Sequence, residues 1–145
     1  MNIKIIEVTH YKPGIEIAIN FLLQQLTGKE GSVTPRQIEE IVLSPNSHLF
    51  IAENEASVCM GMISIGIYVT PTGRKAWIED VVVDENFRGQ GVGEALTRFA
   101  INVANEKNAE AIMLTSQPTR ASANRLYRRV GFEPKETNVY RMKLK

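Results

Sequence analysis

A glycine-rich stretch, Arg88-Gly89-Gln90-Gly91-Val92-Gly93, stands between an apolar run and an amphipathic segment. Glycine adopts positive φ angles and allows close backbone approach, so successive N–H groups can point into one concavity at the start of a helix. Such a nest of N–H groups favours a phosphate or a pyrophosphate. These residues therefore predict an anion site at the turn.

Two well-known phosphate loops do not fit this stretch. The P-loop requires a lysine after its last glycine, and none follows here. The dinucleotide fingerprint G-x-G-x-x-G would need a glycine where Glu94 stands. The turn therefore belongs to neither class.

Two adjacent carboxylates, Glu79 and Asp80, precede the turn in a strand-like run that ends in Val81-Val82-Val83. A carboxylate in a cleft can accept a proton from a substrate. Neighbouring strand residues face opposite sides, so only one of the two is expected to look into the cleft. The alternative is that the carboxylate pairs with a substrate cation or a structural arginine.

Composition bounds the class of protein. The 145 residues fit one domain, 1–145, and 17 basic against 16 acidic residues give a net charge of +1, which indicates neither nucleic acid nor an acidic partner. Cys59 is the single cysteine, and His10 and His48 lie far apart, so we expect no intramolecular disulfide and no metal. No stretch predicts a signal peptide or a membrane span. A cytoplasmic protein fits these features.

Hydrophobic periodicity predicts the order βααβββαβαβ, which is an α/β or α+β architecture with a mixed sheet. The start of the second predicted helix is marked by Thr34, Pro35 and Gln37, which form a capping box with a first-turn proline. The predicted strands are 3–8, 49–52, 58–69, 76–83, 111–114 and 138–144, and the predicted helices are 15–26, 34–44, 92–103 and 123–130.

A resemblance emerges at Arg88, Gly91 and Gly93, which fit the pattern R/Q-x-x-G-x-G/A. A second motif follows in the segment 123–133, with Asn124, Tyr127 and Gly131-Phe132 in order. Together they make the chain similar, over roughly residues 48–145, to the GNAT superfamily of acyl-CoA-dependent N-acyltransferases, as a small bacterial-type member. The resemblance implies six to seven mostly antiparallel strands flanked by four helices.

The resemblance also implies acetyl-CoA as co-substrate. The pyrophosphate would lie in the nest formed by Arg88, Gly89, Gln90, Gly91, Val92 and Gly93, and the pantetheine arm would follow Val81, Val82 and Val83. The N–H of Val82 or Val83 would polarise the thioester carbonyl. The competing interpretation is that these valines are only core residues.

Catalytic roles follow from the same resemblance. Glu79 is expected to take the amine proton through a water, with Asp80 as the second candidate for this base and for substrate contact. Tyr127 would protonate the thiolate of CoA, and Asn124 would hydrogen-bond the cofactor from the same side of the helix. The alternative for Tyr127 is an aromatic that fills the core.

The resemblance implies that the acceptor is an amine of a small molecule, an amino acid or a peptide. We expect its contacts from the first two helices, the 69–75 turn and the 135–138 loop, with Trp77 and Phe87 as packing residues. An acyl-CoA-binding sensor domain and an amino-sugar-phosphate N-acetyltransferase are the alternatives. A homodimer is possible because the family often dimerises.

The basic residues Arg120, Arg125, Arg128 and Arg129 fit a solvated helix face, with one of them available to CoA phosphates.

Overall fold

The computed structural model describes residues 2–145. Its elements are β1 (Lys4–Glu7), α1 (Ile15–Thr27), α2 (Pro35–Leu43), β2 (Ser47–Glu53), β3 (Cys59–Thr70), β4 (Gly73–Val83), a short 3₁₀ helix (Glu85–Phe87), α3 (Val92–Glu106), β5 (Ala111–Met113) and α4 (Ala121–Val130). The predicted order is confirmed through α4.

Local signals set the ends of the first two helices. Gly28 ends α1 in the left-handed region, with φ 74°, where glycine carries no Cβ penalty. The capping box of α2 is present: the Gln37 backbone N–H donates to Thr34 Oγ1 at 3.2 Å, and the Thr34 N–H donates to Gln37 Oε1 at 2.9 Å. These hydrogen bonds satisfy N–H groups that a helix start otherwise leaves unpaired.

The sheet has the strand order β1-β2-β3-β4-β5. The first three pairings are antiparallel, and β4 pairs with β5 in parallel over Lys75–Trp77 and Ala111–Met113. The mixed, mostly antiparallel sheet is therefore confirmed, with five strands in residues 2–145 where the resemblance implied six to seven.

The prediction of a strand over 138–144 is wrong. Among the described residues the chain forms no helix or strand after Val130. The apolar side chains of this segment are exposed: Val139 70%, Tyr140 88%, Met142 82% and Leu144 86%. An alternating pattern makes a strand only when its backbone groups pair with a neighbour, and no strand described here pairs with it.

The core lies on two faces of the sheet. On the first face, which we call the α1/α2 face, helix residues Ile19, Leu22 and Ile38 cluster with strand residues Leu49, Met62 and Val82. On the opposite face Phe50 meets Phe99 of α3 edge to face, with ring centroids 5.1 Å apart. Each sheet face is thus buried by its own helices.

The chain divides into two compact units, one up to Thr115 and one over Ser116–Lys145. The first holds the whole sheet with α1, α2 and α3, and the second holds α4. A single domain over 1–145 stays a prediction. Within residues 2–145, every helix is too short or too polar to cross a bilayer.

Candidate active site

A β-bulge lies near the C-terminal end of β4. Met62 pairs with Val82 and Ser64 pairs with Glu79, so that Ile63 alone stands opposite Asp80 and Val81. Asp80 adopts φ 50°, in the left-handed region that costs a non-glycine residue about 1–2 kcal/mol. Bulges re-aim side chains, and they are frequent beside active sites.

The bulge shifts the alternation of side chains by one residue. Residues paired across an antiparallel ladder share a face, so Val82 lies on the α1/α2 face with Met62. Ser64 is two residues from Met62 and shares that face, and so does its partner Glu79. The Glu79 and Asp80 side chains are both exposed. A regular strand would have placed Glu79 and Val82 on opposite faces.

The edge of β4 that faces away from β3 has no partner strand beside Val81, Val82 and Val83 among the strands described in the first unit. The parallel pairing with β5 ends at Trp77 and Met113. Within the first unit no described strand therefore pairs with the 81–83 edge that faces away from β3. An unpaired strand edge offers N–H and C=O groups to a ligand.

Hydrogen-bond alternation tells which valine groups face this edge. The Asp84 N–H donates to the Met60 carbonyl at 2.8 Å, so Met62 and Val82 form the next hydrogen-bonded pair of the ladder. The backbone groups of Val83 then point away from β3. In agreement, the Val83 carbonyl accepts from Arg88 Nε at 3.2 Å. Val82 directs its N–H towards β3.

The glycine turn has the predicted nest conformation at two positions. Gly89 has φ 74° and Gly91, the N-cap of α3, has φ 85°. A Cβ built on either glycine would meet no atom within 4 Å, so the space beside the turn is open. Left-handed residues just before the start of a helix, here the 15-residue α3, are the backbone conformation from which anion-binding nests of N–H groups are built.

The flanking residues anchor the nest. Val92 is buried at 1% exposure, and Thr97, also buried, donates from Oγ1 to the Gly93 carbonyl at 2.8 Å. Gln90 is exposed and donates from Nε2 to the Asn86 carbonyl at 3.5 Å. The first turn of α3 is thus held to the core while its open side stays accessible.

A side chain from α1 holds the loop that leads to the nest. Gln25 Oε1 accepts from the Glu85 N–H at 2.8 Å, and Gln25 Nε2 donates to Asp84 Oδ1 at 3.4 Å. The buried Asp84 carboxylate also accepts from the Asn86 N–H at 3.1 Å. The sequence gives no signal for this contact, because Gln25 lies 59 residues before Asp84.

The second unit carries the two remaining candidates on α4. Asn124 Nδ2 donates to the carbonyls of Gln117 and Arg120, each at 2.9 Å. Both amide hydrogens are thereby used, and Oδ1 is the group that could accept from a ligand. Tyr127 is buried at 6% exposure and packs against Phe132, with ring centroids 5.9 Å apart.

Burial raises the pKa of the Tyr127 hydroxyl above its ordinary value, and the charge of Arg120 opposes this shift. The hydroxyl therefore stays protonated at neutral pH. The same cause, desolvation, raises the pKa of the Cys59 thiol. Cys59 is then mostly a neutral thiol and a poor nucleophile at that pH.

The arginines of α4 are exposed, as a solvated face requires. Arg128 and Arg129 fall in its last turn, where positive charge is favourable, and Arg125 donates to Ser122 Oγ at 3.1 Å. Within residues 2–145 no group of three or more His, Cys, Asp or Glu side chains is placed to hold a metal ion.

Comparison with known sequences now bears on this site. The sequence profile of the Acetyltransferase (GNAT) family matches residues 16–132. The chain belongs to this family. The match includes β4, the nest and α4, so the GNAT residues discussed above all lie inside it.

Among relatives of this GNAT chain is the thialysine N-epsilon-acetyltransferase of Mus musculus. It is 30% identical over 95 residues, which are 65% of this chain and 52% of the mouse protein. The match thus spans about half the length of that curated relative.

Solved structures share the GNAT fold of this chain. A transcriptional regulator from Bacillus halodurans C-125 superposes with a TM-score of 0.83 at 27% identity, covering 98% of this chain and 100% of the other. A predicted acetyltransferase from Clostridium acetobutylicum, solved with acetyl-CoA, gives 0.75 at 18% identity, covering 97% and 96%. The α/β fold class is confirmed by these matches.

Proposed function

We propose that this GNAT chain is an N-acetyltransferase that moves an acetyl group from acetyl-CoA directly to a primary amine of a small molecule, an amino acid or a peptide. The observation that carries the proposal is the open nest at Gly89 and Gly91, which directly follows a free strand edge next to Glu79. The mouse relative is named for acetyl transfer, and the Clostridium protein was solved with acetyl-CoA.

The nest, Arg88 to Gly93, would hold the pyrophosphate of acetyl-CoA. The pantetheine arm would run back along β4, hydrogen-bonded to Val81 and to the N–H of Val83, since the Val83 carbonyl already accepts from Arg88. The N–H of Val83 points away from β3 and that of Val82 points towards it, so Val83 is favoured over Val82 as a hydrogen-bond donor to the cofactor. Val81 lies nearer to Glu79 and so nearer to the thioester. Asn124 Oδ1 would accept a hydrogen bond from the cofactor.

The chemistry starts from an ammonium, because an alkyl amine has a pKa of about 10.4. A water held by Glu79 takes this proton, and the neutral amine then attacks the thioester carbonyl. Valine N–H groups on the free edge stabilise the oxyanion that forms. The nitrogen of the intermediate carries an extra proton, which it releases to solvent; the intermediate then collapses to the amide as the C–S bond breaks, and the sulfur leaves as a thiolate. Asp80, in the bulge, is the second candidate for the base.

Tyr127 would donate its hydroxyl proton to the departing thiolate. Its raised pKa keeps the hydroxyl protonated at neutral pH, which an acid requires. A thiol has a pKa of about 8.5, so full transfer from the tyrosine is uphill and the hydroxyl acts first as a hydrogen-bond donor.

The test combines calorimetric titration with acetyl-CoA and a thiol-release assay over a panel of amines. We expect saturable binding of acetyl-CoA and amine-dependent release of free CoA. Glu79→Gln should lower release at unchanged acetyl-CoA affinity, and Glu136→Gln, at an exposed glutamate of the second unit, is the control. Absence of acetyl-CoA binding would refute the proposal.

A second candidate is an acyl-CoA-binding regulator with little turnover. The Bacillus halodurans protein, 27% identical, is named a transcriptional regulator. Acetyl-CoA binding without thiol release from any amine in the panel would favour this function over the enzyme.

The proposal includes a cytoplasmic location, where a free thiol such as that of Cys59 stays reduced. It also includes a homodimer. The four exposed apolar side chains between Val139 and Leu144 support self-association, because contiguous exposed apolar surface often marks an interface.

A further inference from the structure

The β3–β4 hairpin carries a row of side chains beyond the part of the α1/α2 face that forms the core. Three register pairs make this row: Ser64 with Glu79, Gly66 with Trp77, and Tyr68 with Lys75. Their side chains share the face of Met62, since β3 alternates regularly from Met62 to Tyr68. The proposed base therefore shares its face with two aromatic residues.

The two aromatic residues are fixed against each other. Trp77 Nε1 donates to the Tyr68 hydroxyl at 2.7 Å, which holds the indole towards Tyr68. Trp77 is half-buried, and Tyr68 is 41% exposed. The sequence predicts Trp77 to be a packing residue, and the structure adds that its indole N–H is held by Tyr68. The pair presents a preordered apolar surface to solvent.

An opening lies beside the pair at Gly66. A Cβ built on this glycine would meet no atom within 4 Å, so neither the indole nor a neighbouring side chain fills the space. Glycine inside a strand often marks a close approach by a ligand or another chain. We call Gly66, Tyr68 and Trp77 the aromatic shelf.

The two ends of the shelf carry opposite charges. Glu79 lies two residues from Trp77 along β4, about 7 Å between Cα atoms. Lys75 lies two residues from Trp77 in the other direction, opposite Tyr68. A ligand along the shelf therefore meets a carboxylate at one end and an ammonium at the other.

We propose that the aromatic shelf binds the acceptor, and that the acceptor is a primary amine joined by a short carbon chain to an aromatic ring. The ring occupies the opening over Gly66 against Trp77 and Tyr68, and the ammonium lies at the Glu79 carboxylate. Lys75 disfavours acceptors that carry a second ammonium at the ring end. Turnover of such an amine rests on the proposed function; binding to the shelf does not.

Trp77 is the single tryptophan of the chain, so its fluorescence reports directly on the shelf. The protein is titrated with 2-phenylethylamine at pH 7, once alone and once with CoA, which lacks an acetyl group and so permits no turnover. We expect a saturable change in emission, with affinity about tenfold above that of n-butylamine, as stacking of one ring predicts. Equal affinities, or no saturable change, would overturn the proposal.

Two variants locate the ligand. Gly66→Val fills the opening with a residue that suits a strand and should lower the affinity for 2-phenylethylamine about tenfold while leaving n-butylamine unchanged. Tyr68→Ser should act in the same direction. Tyr140→Ser, at another exposed tyrosine, is the control. An equal loss for both amines in Gly66→Val would overturn the placement of the ring.

The thiol-release assay with acetyl-CoA separates the two proposals. Saturable ring-dependent binding without thiol release supports the shelf and contradicts the enzyme. Thiol release from n-butylamine and 2-phenylethylamine with equal kcat/KM, together with equal affinities, supports the enzyme and overturns the shelf. Release favouring the aromatic amine, reduced by Gly66→Val, supports both.

Discussion

At the scale of single residues, burial decides what Tyr127 can do. We expect Tyr127→Phe to lower kcat about 100-fold, within the range of general acid catalysis, with little change in the KM for acetyl-CoA. The thiol-release assay measures both constants. Tyr140→Phe, at a tyrosine that is 88% exposed, is the matched control. A kcat equal to that of the wild type would remove Tyr127 from the mechanism.

The pH dependence of kcat gives an independent prediction for the same residue. Burial raises the pKa of Tyr127 above the ordinary value of about 10, so the acid keeps its proton through neutral and mildly alkaline pH. We therefore expect no falling limb from Tyr127 below about pH 10 in the profile of kcat. A falling limb centred near pH 8 that disappears in Tyr127→Phe would contradict this.

At the scale of elements, the nest and the helix that follows it act together. Gly91→Glu places a carboxylate at the N-terminus of α3, beside the expected pyrophosphate. We expect the affinity for acetyl-CoA to fall about 100-fold or more by charge repulsion, measured by calorimetry. Unchanged affinity would place the pyrophosphate elsewhere.

Gly14→Glu is the matched control for this substitution. Gly14 is the N-cap of α1 with φ 92°, close to the φ 85° of Gly91, and a Cβ there also meets no atom within 4 Å. Backbone strain should therefore lower the two midpoints of thermal unfolding by a similar amount. Only the substitution in the nest should weaken acetyl-CoA binding.

The contact from α1 to the loop before the nest predicts a positioning role for Gln25. Gln25→Met keeps the length of the side chain and removes two hydrogen bonds, each contributing about 1 kcal/mol. We expect roughly tenfold weaker binding of acetyl-CoA, and unchanged binding of acetyl-pantetheine, which lacks the pyrophosphate.

Gln24→Met, at the exposed neighbouring glutamine, controls for the loss of an amide from α1. If Gln25→Met weakens the binding of acetyl-CoA and of acetyl-pantetheine equally, the substitution has caused a general loss of structure. If it changes the binding of neither, the loop keeps its place without this contact.

At the scale of the whole molecule, the segment 138–144 is the main unexplained surface. If it mediates the proposed homodimer, the pair Met142→Ser and Leu144→Ser should convert dimers to monomers in sedimentation velocity. The control pair is Ile17→Ser and Leu43→Ser, at side chains that are 70% and 81% exposed on α1 and α2. A monomeric wild type would exclude the dimer.

Most of the fold was predictable because its signals are local. The caps at Thr34 and Gly28 and the helical periods of α1 and α3 depend on residues within a few positions of one another. The 138–144 pattern failed for the opposite reason. Its alternation resembles that of a strand, but a strand depends on a partner that periodicity cannot identify.

The sequence by itself determined the positive φ angles of the glycine turn, the order of the elements through α4 and the membership in the GNAT family, since each follows from short motifs or regular spacing. Only the tertiary structure decided on which face of the sheet each residue of β4 lies. The bulge at Asp80 sets Glu79 on the face of Val82, and it arises from pairing with β3. The Gln25 contact and the aromatic shelf likewise join residues that lie far apart in the sequence. Such contacts form only in the folded chain, so the sequence pattern does not reveal them.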